Sequence, residues 1–202
     1  MDVREALLKA AIKAFSEAGM RGATTRRIAQ EAGVNEVTLY RHFRSKDDLI
    51  DAALQHFARQ AQLRELPADP TDPRAELIEW SRAQHRDLHR VRSLIRKTMG
   101  EYEEHPGHCV HGLQASTRIA QELADYFRRL KRKGLASPDV DERAAANMLL
   151  GTIFADALGR DTMPERYPYS MRDAVEKYVH LLLGAIGARP DTNVAVRVSS
   201  EK

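Results

Sequence analysis

Apolar positions along the chain recur every three or four residues, and strict β-type alternation is absent, so the pattern predicts helices throughout. In residues 3–18, Leu7, Leu8, Ala11, Ile12, Phe15 and Ala18 share one helical face, and Gly19 stands where a helix C-cap belongs. Between Ala23 and Phe43 the pattern predicts two shorter helices separated by Gly33. Ser45 is a suitable N-cap for the next helix, with Asp47 and Asp48 in its first turn and Leu49, Ile50, Ala53, Leu54, Phe57 and Ala61 as its stripe. Three prolines between Leu66 and Pro73 end it and mark the clearest boundary in the sequence. Beyond them, Leu77, Ser81, Gln84, Leu88, Val91, Ile95 and Thr98 predict helix over 74–103. Further helices are expected at 110–133, 139–158 and 170–187, and a polar tail at 188–202. The expected fold is all-α: a three-helix N-terminal helix-turn-helix unit at 1–46, and a helical bundle at 47–187 for ligand binding and dimerisation.

Residues 24–43 carry the local chemistry. Thr24 can cap a helix whose inward positions are Ile28, Ala29 and Ala32, and small Ala29 lets a second helix cross closely. Gly33 supplies a left-handed turn, and Asn35 caps the second helix. Val34, Leu39 and Phe43 point inward, which leaves Glu36, Val37, Tyr40 and Arg41 outward. A turn of this kind between two short helices is the helix-turn-helix arrangement that enters the major groove.

Charge sharpens that reading. The whole chain has a net charge of only +3, yet six basic residues stand against two acidic ones between Arg21 and Lys46, a local charge of +4. A hydrophobic content of 43% against 30% charged residues fits a folded globular protein. One cysteine excludes an intramolecular disulfide framework and a multi-cysteine zinc site. Lys9 and Lys13 break any apolar run near the N-terminus, and no apolar stretch is long enough to span a bilayer, so a cytoplasmic protein without a signal peptide is expected. No phosphate-binding loop, G-x-G-x-x-G, H-E-x-x-H or G-x-S-x-G occurs, so no enzymatic activity and no cofactor are expected.

From Arg4 through Ala10-Ala11, Phe15, Gly19, Thr25, Ile28-Ala29, Ala32-Gly33-Val34, Thr38-Leu39-Tyr40-Arg41-His42-Phe43 and Lys46 to Leu49, the chain resembles the DNA-binding domain of TetR/AcrR-type transcriptional regulators. The resemblance covers about residues 4–52 and rests on many fixed spacings. It implies a dimeric repressor on a palindromic operator, released by a small apolar or amphiphilic effector. By that resemblance Thr25, Tyr40, His42 and Lys46 contact DNA phosphates, and Arg26 reads a base. Glu36, Val37, Thr38 and Arg41 are the remaining base-reading candidates. Two of these depart from the family pattern. Val37 stands where glycine is common, and valine can touch a thymine methyl. Glu36 is either an acceptor for cytosine N4 or simply a favourable charge at a helix N-terminus.

Apolar and aromatic residues on the later helices, namely Trp80, Met99, Tyr102, Phe127, Met148 and Phe154, are candidates for an effector pocket, with core packing as their default role. His105, His108, Cys109 and His111 lie within seven residues, and His85 and His89 form an i,i+4 pair; their spacing matches no compact zinc pattern, so no metal is expected. Ala145, Met148, Leu149, Thr152 and Ile153, with Val175, Tyr178, Leu182, Ala185 and Ile186, are expected to pair with a second copy as a four-helix interface, the alternative being that they close the core of one copy. The helix from Lys46 to about Leu63 is the natural lever between effector and DNA.

Overall fold

The computed structural model describes residues 2–60, 65–104 and 110–188. Among these, nine α-helices and one short 3-10 turn at Pro164–Arg166 account for the regular structure. The helices are α1 (Val3–Gly22), α2 (Thr25–Glu31), α3 (Glu36–His42), α4 (Lys46–Gln60), α5 (Pro73–Arg90), α6 (Arg92–Glu104), α7 (Val110–Arg132), α8 (Glu142–Gly159) and α9 (Met171–Ala185). The stretch predicted as helical over 74–103 is divided at Val91 into α5 and α6. None of the described helices is long and apolar enough to cross a membrane.

Two compact units result, one from 1–63 with 91–117 and one from 64–90 with 118–202. In the first, α1 packs against α2, α4 and α6. Leu7, Phe15, Ile28, Leu39 and Leu49 are fully buried in its core, and Leu94 joins them from α6. This core runs past residue 46, because Ile50, Ala53 and Leu54 of α4 are part of it. Gly19 leaves helical geometry with φ 67°, a left-handed conformation that glycine adopts without strain, and redirects the end of α1.

In the second unit, α5 packs on α8 and α9, and α8 on α9. Leu77, Leu123, Phe127, Ile153, Val175 and Val179 are fully buried there. This core corrects the expected interface. Ala145, Leu149, Ile153, Val175, Leu182 and Ile186 are buried within one copy. Only Met148, Thr152 and Ala185 of the expected set are exposed, and Tyr178 is half-buried. The reason is physical: α8 carries apolar residues on its buried and its exposed sides alike, so periodicity cannot separate the two.

A buried polar network ties three helices of this unit together. Asp156 of α8, with no exposed surface, takes a bidentate pair from Arg160, at 2.8 Å from Nε and 2.7 Å from Nη2. The Tyr178 hydroxyl of α9 donates to it at 2.7 Å, and His85 Nε2 of α5 donates at 2.8 Å. His89, stacked on His85, meets the Ala157 carbonyl. Burial alone would raise the Asp156 carboxyl, but its bonds from Arg160, His85 and Tyr178 outweigh that and hold it below its ordinary value. Burial holds His85 below its ordinary range, although Asp156 pulls the other way, so its ring is a neutral donor. Burial, reinforced by the bond to Asp156, pushes the Tyr178 hydroxyl up.

Candidate nucleic-acid interface

The helical hairpin of α2 and α3 forms as its sequence dictates. Thr24 accepts from the Arg27 amide at 3.3 Å, and Asn35 accepts from the Thr38 amide at 2.8 Å, so each short helix has a side-chain N-cap. Between them Gly33 sits at φ 70°, and the Val34 amide donates to the Ala29 carbonyl to close the turn. A Cβ at Gly33 would meet nothing within 4 Å, so backbone conformation, not space, requires glycine there. Leu39 and Phe43 anchor α3 to the core, with Val34 packed beside them. Arg27 pairs with Glu17, and Lys13 pairs with Glu31 at 2.5 Å, which fastens α2 to α1.

The opposite side of α3 is bare. Val37 is 63% and Tyr40 53% exposed, unusual for large apolar and aromatic side chains, and Glu36, Arg41 and His42 are exposed with them. Arg26 is also exposed, and Thr25 is half-buried at the start of α2. The residues expected to contact phosphate and those expected to read bases therefore share the α2–α3 hairpin and the start of α4. Two of them are already engaged. The Thr25 hydroxyl donates to Glu36 at 2.7 Å. Lys46 Nζ donates to the Met20 carbonyl at 2.8 Å, which pins the start of α4 to the end of α1. An ammonium has three donors, so that bond positions the Lys46 charge and leaves two donors for a phosphate. The Thr38 hydroxyl is tied to Asn35 at 2.9 Å and serves the cap.

The structure adds one residue that sequence reasoning did not single out as a contact. Arg4, at the start of α1, places its guanidinium over the Phe43 ring, 5.4 Å from the centroid. It brings a positive charge from the first helix to the end of α3. Its appearance among the family spacings was the only signal in the sequence.

This arrangement is shared with known proteins. Residues 7–53 match the family described as "Bacterial regulatory proteins, tetR family". Residues 7–53 are therefore a tetR-family DNA-binding domain. Among curated relatives, the tetracycline repressor protein class C of Escherichia coli is 36% identical over 74 residues, which cover 37% of this chain and 34% of that repressor. Among solved structures, Salmonella enterica GusR matches with a TM-score of 0.72 and 26% identity, covering 92% of this chain and 96% of GusR. The Bacillus subtilis transcriptional regulator FadR in complex with stearoyl-CoA matches with a TM-score of 0.66 and 19% identity, over 90% of this chain and 98% of FadR. That last likeness is one of fold. TetR-family members are regulatory proteins, not enzymes.

The six residues expected to line an effector pocket are divided between the two units. Trp80 and Phe127 are core residues of the second unit, and Phe154 is half-buried on α8. Met148 is 61% exposed on α8, while Met99 and Tyr102 are exposed on α6 in the first unit. A cavity of about 440 Å³, open to solvent, is lined by Arg74, Tyr169, Asp173, Glu176, Lys177 and His180, none of them among the six. The cluster of His105, His108, Cys109 and His111 lies outside the described residues or side chains. Among the described residues, no group of side chains is arranged to hold a metal ion.

Proposed function

We propose that this chain is a TetR-type DNA-binding transcriptional repressor that recognises a palindromic operator as a dimer and is released by a small apolar or amphiphilic effector. The observation that carries the reading is the bare outer face of α3. A short capped helix with its apolar side buried and Val37, Tyr40 and Arg41 exposed needs a partner, and the surrounding charge of +4 selects a polyanion. Tyr40, His42, Lys46 and Thr25 hold phosphates and set the register, while Arg26, Glu36, Val37, Thr38 and Arg41 face the base edges. Thr38, whose hydroxyl is engaged by Asn35, offers its methyl group to a thymine.

Dimerisation is assigned to the outer faces of α8 and α9. Ala144, Met148, Gly151 and Ala155 form one exposed strip on α8, and Leu181, Gly184 and Ala185 form another on α9. Leu181 is 69% exposed, a large apolar side chain without a partner in one copy. A second copy supplies the cover, and two-fold symmetry then places two reading helices one DNA turn apart, roughly 34–36 Å.

The effector reading is supported by the structural neighbour solved with stearoyl-CoA, an amphiphile. An effector must bind the DNA-competent and incompetent arrangements with different affinity, and operator must weaken its binding by the same factor. The experiment for the whole reading is selection of bound sequences from a randomised duplex library, followed by titration of the winner against salt. A palindromic winner with a steep salt slope supports the proposal, and the absence of any enriched sequence overturns it.

A further inference from the structure

The bond between Thr25 and Glu36 joins a phosphate-contacting residue to a base-reading one, and its chemistry does not allow both contacts at once. A threonine hydroxyl has a single proton to donate, and here it goes to Glu36 Oε2 at 2.7 Å. While that bond lasts, no hydrogen bond runs from Thr25 Oγ1 to a phosphate. Glu36 is exposed at the first position of α3, and no lysine or arginine pairs with it among the described residues. A carboxylate without a cationic partner therefore stands in a segment of local charge +4 that is to meet phosphates, and phosphates would repel it.

We infer that Glu36 is a specificity gate: the Thr25 hydroxyl passes from Glu36 to a DNA phosphate only when a cytosine N4 amino group takes over the carboxylate. This rests on the α2–α3 hairpin being the DNA-binding element. The major-groove edge of cytosine offers the N4 donor that an acid can accept from; guanine and thymine present acceptors that repel it, and adenine sets its N6 donor beside the N7 acceptor. With cytosine in place, Glu36 gains a donor, swings from Thr25 and releases the hydroxyl to the backbone. With a wrong base, the carboxylate stays on Thr25. The complex then lacks the base contact and the phosphate contact together, and retains an acid facing phosphates. A single mismatch thus costs two contacts, which gives discrimination beyond one base–side-chain pair.

The test is selection from a randomised duplex library with the wild-type chain and with Glu36→Gln and Glu36→Ala. Affinities are then measured on the wild-type winner, on that duplex with its cytosine replaced, and on a random duplex. Wild type should fix a C·G pair in each half-site. Glu36→Gln should move the preference at that position to adenine, the base that Gln pairs with bidentately. Glu36→Ala should accept any base there and bind the random duplex roughly tenfold more tightly than wild type, the like-charge penalty being gone. Thr25→Val separates a gate from a simple base contact. It should shrink the penalty for replacing the cytosine by about tenfold, the worth of one hydrogen bond to a charged group, while Thr25→Ser keeps the full penalty. If Glu36→Ala retains the wild-type preference, or Thr25→Val retains the full penalty, the gate is refuted while DNA binding stands. If wild type enriches no sequence, the inference and the function it rests on fall together.

Discussion

Tyr40 and Lys46 show how far a single residue's role follows from its chemistry. Tyr40 is exposed on α3 with its ring held away from the core, so its hydroxyl is its functional end. Tyr40→Phe should weaken binding to all duplexes by the same factor, about fivefold, because a phosphate contact carries no sequence information. Affinities on selected and random duplexes check this; a loss confined to the selected duplex would make Tyr40 a base reader. Lys46 has a double role, since its ammonium also closes the end of α1 through Met20. Lys46→Ala should lower the magnitude of the salt slope by about one and also lower Tm by a few degrees, through the orphaned carbonyl. An unchanged slope with a lowered Tm would leave Lys46 only its structural role.

Elements divide into those whose sequence signals are local and those that depend on packing. The caps at Thr24 and Asn35, the turn at Gly33 and the inward set Ile28, Leu39 and Phe43 are all found where the sequence indicates, because each is decided within a few residues. The outward faces of α8 and α9 were not legible. Both helices carry apolar residues on opposite sides, and only the packing of α5 against them shows which side one copy uses. That distinction sets a prediction. Met148→Glu with Leu181→Glu should give folded monomers that lose operator affinity, measured by sedimentation and duplex binding, since both side chains are exposed. Leu149→Glu with Leu182→Glu should instead unfold the second unit, because each places a charge in the core. A folded dimer from the Met148/Leu181 pair would contradict the assigned interface. The Thr25–Glu36 bond was also invisible in sequence: eleven positions separate the two residues, and only the crossing of α2 and α3 brings them together. Nor does apolar type alone tell Trp80 in a core from Met99 on a surface, so the pocket candidates could not be sorted from packing residues in the sequence.

At the scale of the whole molecule, stability and recognition meet different tests. The Asp156 network makes stability depend on acid. His85 is held below its ordinary 6.5, so the unfolded chain takes up a proton first as pH falls through that value, and stability drops from there down to the lowered folded value. Asp156 is held below its ordinary 3.8, so its contribution is complete above that value and is lost as pH falls through the lower folded one. His85→Gln should flatten the decline in Tm between pH 6.5 and pH 5 relative to wild type, as the difference between the two melting profiles would show. Equal slopes would mean that His85 is not the group responsible. The central claim, that the exposed face of α3 reads DNA, is tested most directly by comparing one duplex with another. The measurement is the affinity of the wild-type chain for its selected duplex and for a random duplex of equal length, titrated from low to physiological salt. The account predicts at least about a thousandfold preference for the selected duplex at physiological salt, with both affinities falling steeply as salt rises. Equal affinity for the two duplexes at every salt concentration would contradict it.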